Sequence, residues 1–241
     1  MSVVIIPARF ASERLPGKPL KKIDGVPMIV RVAQRCLKSR ADRVIVVTDS
    51  KEILEVCEKV EGLESVMSDP QIKSGTDRVA KVAKFLKDEI VINVQGDEPF
   101  VPHEIIDQMI EDFELNKGVY MNTFATKIDS KTAENPNCVK VVFDKSNNAI
   151  YFSRAKIPFN RGLGDCDYYK HIGIYGFRRG FLLKYADMPQ GDLEMLERLE
   201  QLRVLENGYK IKILFTSYEP ISVDTEDDLR RAEEYSKKGK N

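Results

Sequence analysis

The chain has 241 residues, 42% hydrophobic and 32% charged, enough for one α/β domain with an elaboration or for two small domains. Thirty-eight Lys plus Arg balance thirty-eight Asp plus Glu, which argues against a protein that holds nucleic acid mainly through its overall field. No apolar run approaches the roughly 20 residues of a membrane span. The opening Met1-Ser2-Val3-Val4-Ile5-Ile6-Pro7 lacks the basic start and cleavage pattern of a signal peptide, so a cytoplasmic location is expected. Cys36, Cys57, Cys138 and Cys166 form no C-x-x-C pair and read as reduced thiols, not as disulfides or zinc ligands.

Along the chain, Val3 to Ile6, Arg43 to Thr48 and Ile90 to Val94 are short apolar runs of the kind found in buried parallel strands. Met28, Ile29, Val32, Ala33, Cys36 and Leu37 share a helical face, as do Val79, Ala80, Val82, Ala83 and Leu86. This alternation predicts βαβ units and a doubly wound, mainly parallel sheet whose ligands sit beyond the carboxyl ends of its strands. A helix after Pro102 carries Ile105, Ile106, Met109, Ile110 and Phe113. Then Tyr120 to Thr126, Val139 to Phe143 and Ala149 to Ser153 read as extended, with a polar turn at 144–148, and His171 to Phe177 as a further strand. Leu193, Leu196, Leu199 and Leu202 predict one helix ending near Gly208, followed by a strand from Lys210 to Phe215. The last helix is predicted to begin at Thr225, with Asp228 completing an acidic capping box. The expected organisation is a single domain over 1–241 with an inserted β-hairpin or small α+β subdomain over about 120–190.

The first strand empties into Pro7-Ala8-Arg9-Phe10-Ala11-Ser12-Glu13-Arg14-Leu15-Pro16-Gly17-Lys18-Pro19-Leu20. A Walker A loop would need glycine at Ser12 and Ser or Thr at Pro19, and G-x-G-x-x-G occurs nowhere, so neither familiar nucleotide loop is present. Arg9, Arg14 and Lys18 are instead placed to converge on a polyanion such as a triphosphate; the plainer alternative is a solvated basic loop. Asp97, in Gln95-Gly96-Asp97-Glu98-Pro99, follows a buried strand and suits Mg²⁺, which takes one or two carboxylates plus substrate oxygens. Asp224 precedes the last helix, where an acid also serves the helix dipole. Ser74-Gly75-Thr76-Asp77-Arg78 leads into a helix and reads equally as a ligand-binding start or a simple cap. Tyr151, Arg154, Lys170 and His171 offer cationic and hydrogen-bonding groups to an anionic, hydroxyl-rich ligand, with a structural role for His171 equally open. Glu200 and Gln201 would ordinarily lie on a solvated helix face.

Together these stretches resemble the 3-deoxy-manno-octulosonate cytidylyltransferases, also called CMP-Kdo synthetases. The matching segments are Ile5 to Arg9, Arg14 to Leu20, Ser74 to Arg78, Asn93 to Pro99, Tyr151 to Ala155, His171 to Tyr175, Leu199 to Arg203 and Val223 to Thr225, in family order. The departures are Glu13, where relatives carry a small hydroxyl residue, and the glycine-containing connection over 160–167. The resemblance implies a nucleotide-diphospho-sugar transferase fold and transfer of CMP from CTP to the sugar acid Kdo, with release of pyrophosphate, for lipopolysaccharide assembly. It further implies that Asp97 and Asp224 hold Mg²⁺, that Arg9 and Lys18 act on the phosphates with Arg14 in support, and that Ala8, Ser74 and Gln95 read cytosine with Arg78 beside them. Arg154 and His171 fall to the sugar carboxylate, Glu200 and Gln201 to its hydroxyls, and Tyr151 to the same region. A homodimer built on the inserted strands is implied as well. The alternatives are another sugar nucleotidyltransferase, such as an acylneuraminate cytidylyltransferase, and a nucleotide-binding module without chemistry.

Overall fold

Seven consecutive buried residues from Ser2 to Ala8 make a strand with no solvent face, which needs neighbours on both edges and cover on both sides. The computed structural model, which describes all residues except Glu13, Lys73, Leu163, Asp165, Lys240 and Asn241, supplies them. The chain divides into two units, Met1–Glu111 with Pro220–Asn241, and Asp112–Glu219.

The first unit runs β1 (Ser2–Ala8), a small ribbon of β2 (Lys22–Ile23) and β3 (Val26–Pro27), α1 (Met28–Cys36), β4 (Arg43–Thr48), α2 (Lys51–Cys57), β5 (Glu64–Met67), α3 (Gly75–Ala83), β6 (Ile90–Asn93) and into α4 (His103–Leu115). β1 is flanked in parallel by β4 and β6, and β5 extends the sheet beyond β4, giving the order β6-β1-β4-β5. Right-handed βαβ crossovers are the usual way to make such neighbours. α1 and α3 pack on β1 and β4. Their apolar stripes account for this, with Met28, Ile29, Val32, Ala33 and Cys36 buried on α1, and Val79, Ala80 and Ala83 on α3.

The second unit contains β7 (Met121–Ile128), α5 (Ser130–Ala133), β8 (Lys140–Phe143), β9 (Ala149–Ser153), β10 (Tyr168–Arg178), α6 (Arg179–Ala186), α7 (Asp192–Glu197), α8 (Leu202–Glu206) and β11 (Lys212–Phe215). β8 and β9 form the expected hairpin, β10 runs antiparallel to β7 with an irregularity between Ile172 and Tyr175, and β11 lies parallel to β7. The unit is therefore wider than 120–190, because β11 pairs with β7 and α8 packs on β9. The four leucines do not share one helix. Arg198 adopts a left-handed conformation, φ 53°, that ends α7. Leu193 and Leu196 stay exposed, while Leu199 and Leu202 are buried.

The chain then returns to the first unit with α9 (Glu226–Lys237), capped at Thr225. The capping box is present: the Thr225 hydroxyl accepts the Asp228 N–H and the Asp228 carboxylate accepts the Thr225 N–H. Val223 and Ala232 join Leu15, Ile23, Met28 and Phe100 in a buried cluster, so the returning segment is part of the first unit's core.

Candidate active site

Three segments meet beyond the carboxyl ends of β1 and β6 in the first unit. The loop after β1 is anchored by Leu15, fully buried, and turns at Gly17, whose φ of 65° favours glycine. A short 3-10 turn over Lys18–Leu20 follows, closed by the Lys21 N–H on the Lys18 carbonyl at 3.1 Å. The turn after β6 crosses the end of β1 so closely that a side chain at Gly96 would stand 3.0 Å from the Pro7 carbonyl oxygen. The third segment is tied on by the Val223 N–H, which donates to the Asp97 carbonyl at 3.1 Å.

These constraints bring Asp97 and Asp224 to one cation, across 127 positions of sequence. Lys18 Nζ donates to Asp97 Oδ2 at 2.7 Å and to Asp224 Oδ1 at 3.0 Å, while an Arg14 terminal nitrogen lies 3.1 Å from Asp224 Oδ2. Partial burial pulls the Lys18 ammonium down, but Asp97 and then Asp224 outweigh it and hold its pKa above the ordinary lysine value. Arg9 is exposed at the end of β1. Glu13 lies outside the described residues.

Beside this group, Ala8 closes β1, and Gly75 approaches both Pro7 and Gln95, where an added Cβ would stand 3.4 Å from Gln95 Oε1. Ser74 caps α3, its hydroxyl oxygen accepting the Asp77 N–H at 3.0 Å. Gln95 Nε2 donates to Asn93 Oδ1 at 3.3 Å. Arg78 is placed differently. Its guanidinium is buried and donates to Asp49 Oδ2 at 3.1 Å, to the Ser68 hydroxyl and to the Ile72 carbonyl at 3.4 Å.

In the second unit, Tyr151 and Arg154 sit against Glu197. Arg154 is pinned through its N–H to Glu197 Oε2 at 2.9 Å and its Nε to the Glu197 carbonyl at 2.8 Å. Its own carbonyl accepts from the buried Lys140 ammonium at 2.6 Å. Ser153 Oγ donates to Glu197 Oε1 at 2.6 Å. Burial and then the nearby Glu197 carboxylate raise the Tyr151 phenol above its usual pKa. Gln201, expected on a solvated face, is 2% exposed and accepts from the Tyr175 hydroxyl at 3.2 Å. Glu200 is half-buried, and its backbone carbonyl accepts from the Tyr185 hydroxyl at 2.9 Å.

His171 is not the cation the sequence left open. Burial pushes its pKa down to about 3. It packs against Phe152 and Tyr175, and its Nε2 lies 3.1 Å from Thr123 Oγ1. That hydroxyl faces the Ile172 and Ile174 carbonyls at 3.0 and 2.8 Å, so its one proton goes to a carbonyl and Nε2–H is the donor to Oγ1. His171 is thus a neutral ring with Nδ1 as its acceptor.

Sequence reasoning missed Asp49, Lys140 and Glu197. Asp49 follows the buried strand β4 as Asp97 follows β6, so the rule that found one applies to the other. Lys140 and Glu197 carry no such local signal, since a lysine in a strand and a glutamate on a short helix are ordinarily solvated. Of the connection over 160–167, Leu163 and Asp165 lie outside the described residues.

Residues 3–212 match the family described as Cytidylyltransferase. A 3-deoxy-manno-octulosonate cytidylyltransferase from Fusobacterium nucleatum subsp. nucleatum is 47% identical over 97% of this chain and 96% of its own length. An 8-amino-3,8-dideoxy-manno-octulosonate cytidylyltransferase from Shewanella woodyi is 44% identical over 95% and 96%. The solved structure of a CMP:2-keto-3-deoxy-manno-octonic acid synthetase complexed with CTP superimposes with a TM-score of 0.95 at 34% identity, covering 99% of both chains.

Proposed function

Since the chain belongs to the cytidylyltransferase family, among the 3-deoxy-manno-octulosonate cytidylyltransferases, we propose that it transfers CMP from CTP to 3-deoxy-manno-octulosonate (Kdo), giving CMP-Kdo for lipopolysaccharide assembly. The anomeric hydroxyl of the sugar acid attacks the α-phosphorus, the new O–P bond forms as the α–β bridge breaks, and pyrophosphate leaves with the negative charge. Because both substrates are anions, the protein's work is to position them in line and to neutralise charge. The observation that carries this reading is the single Lys18 ammonium held between Asp97 and Asp224 with Arg14 alongside.

Arg9, Arg14 and Lys18 bind the triphosphate and stabilise charge on the departing pyrophosphate. Lys18 is suited to this because its two carboxylate neighbours keep it fully protonated at neutral pH. Ala8, Ser74 and Gln95 face the cytosine, where a pocket built to pair with an exocyclic amine leaves groups unpaired with uracil. Arg154, locked from three directions, takes the sugar carboxylate, while Tyr151, Glu200 and Gln201 take its hydroxyls. His171 contributes as a neutral ring.

The donor set fits a magnesium ion: Asp97 and Asp224 are oxygen ligands already turned to one cation, and their side chains are 25% and 41% exposed. Among the described residues no group of three or more His, Cys, Asp or Glu is arranged to hold a metal, so substrate oxygens would complete the shell. Bound there, Mg²⁺ would neutralise the α-phosphate and acidify the attacking hydroxyl. Exposed Ile150 and Phe159 in the second unit support a homodimer, and four free cysteines support a reducing, cytoplasmic setting. No helix among the described residues is long and apolar enough to cross a membrane.

The test is pyrophosphate release with CTP and Mg²⁺, crossed against Kdo, its 8-amino-8-deoxy analogue, sialic acid and sugar phosphates. Turnover with sialic acid but not with either octulosonate would overturn the assignment, and no release with any sugar would leave a binding module. Asp97→Asn is expected to lower turnover at least about a hundredfold while CTP still binds, since one lost electrostatic stabiliser commonly costs that much.

A further inference from the structure

Asp49 stands just beyond β4, at the carboxyl end of a buried parallel strand, the edge where such sheets collect their ligands. Its carboxylate is divided between two masters: Oδ1 accepts the Phe10 N–H at 2.8 Å, and Oδ2 accepts from Arg78 at 3.1 Å. The two side chains are 11% and 3% exposed. Arg78 also donates through Nη1 to the Ser68 hydroxyl and through Nη2 to the Ile72 carbonyl, so both of its terminal nitrogens are held by protein.

The ends of this bridge are what make it informative. Phe10 follows Arg9 at the start of the cationic loop, and its ring lies against Gly17, 3.8 Å from where a Cβ would stand, one residue before Lys18. Arg78 sits in the first turn of α3, its N–H donating to the carbonyl of the capping Ser74 at 3.2 Å. One partly buried carboxylate therefore fastens the loop assigned to phosphates to the helix start assigned to the base. A pair needed only for stability would not have to spend an oxygen on the backbone of an otherwise irregular loop. A charge-assisted bond to that N–H is strong and directional enough to fix where Arg9 points its backbone.

We propose that Asp49 and Arg78 are a positioning pair that holds the Arg9–Lys18 loop in register with the N-terminus of α3, so that one nucleotide meets both, and that neither touches the nucleotide. This gives a physical form to the place beside the cytosine-reading residues that the resemblance implied for Arg78. It rests on reading the site as a CTP site.

The experiment compares wild type with Asp49→Ala, Asp49→Asn, Arg78→Met and the Asp49→Ala/Arg78→Met double variant. It measures CTP binding by calorimetry, KM for CTP and for Kdo, and thermal unfolding. Asp49→Ala is expected to raise Kd and KM for CTP at least about tenfold and to leave KM for Kdo within about twofold. Asp49→Asn, which keeps an oxygen for the Phe10 N–H but loses the charge facing Arg78, should fall between it and wild type. The double variant should be no worse than Asp49→Ala alone, since acting residues of one unit are not additive. Should Asp49→Ala fail to fold, Asp49→Asn carries the same comparison. An unchanged KM for CTP, an equal rise in both KM values, or multiplying effects in the double variant would each overturn the proposal. A wild-type protein that binds no CTP at all would instead overturn the site reading beneath it.

Discussion

His171 illustrates how a residue's chemistry is set by where it lands. In the sequence it is one of two histidines beside a lysine; in the fold it is a buried ring whose pKa has dropped from 6.5 to about 3. Between those values the unfolded chain binds a proton that the folded chain does not. The stabilising contribution is therefore complete above about pH 6.5 and is lost as pH falls toward 3, with a slope of about 1.4 kcal/mol per pH unit. Urea unfolding of wild type and His171→Gln at pH 6.5 and pH 5 checks this. Wild type should lose about 1.5 kcal/mol more than the variant over that interval, because carboxylate titrations are common to both and cancel. Equal losses would mean that the ring is charged in the fold. Gln201 makes the companion point: helix position said solvated, whereas its side chain is buried with an oxygen on the Tyr175 hydroxyl.

At the scale of elements, local rules worked where local chemistry dominates. Thr225 and Asp228 are three apart and need no other part of the chain to form their box, and the box is there. Thr225→Ala should destabilise the protein by about 1 kcal/mol, and Thr225→Ser should retain most of that, as read from denaturant midpoints at unchanged slope. The leucine series failed for the complementary reason. Its spacing is compatible with one helix, but the break at Arg198 turns the N–H groups of Arg198 and Leu199 back to the Glu194 carbonyl, and this lets Glu197 reach Ser153 and Arg154. That pull comes from β9, 43 and more residues away in sequence, and no window of local periodicity contains it.

At the scale of the whole molecule, the first unit is discontinuous, and its last 22 residues, Pro220–Asn241, return after the second unit is complete. They bring two separable things: the core residues Val223 and Ala232, and the carboxylate of Asp224. A chain ending at Glu219 is expected to lose the cooperative melt of the first unit, since the cluster around Leu15, Met28 and Phe100 is left open. Asp224→Asn should instead melt within about 1 kcal/mol of wild type, because it removes only a partly exposed ion pair, yet should lose turnover as Asp97→Asn does. Circular dichroism melts beside pyrophosphate release separate the two contributions; a truncated chain that melts like wild type would show that the returning helix carries no core.

By itself the sequence determined the alternating α/β grammar, the buried parallel strands, the hairpin, the final capped helix and the segments that mark the family, because each depends on residues close together or on hydrophobic periodicity. The tertiary structure alone decided that Asp97 and Asp224 share one ammonium, that Arg78 serves Asp49, that Glu197 and Lys140 lock Arg154, and that His171 is neutral. These depend on distances between residues far apart in sequence and on the exclusion of water. Neither quantity exists until the chain has closed on itself.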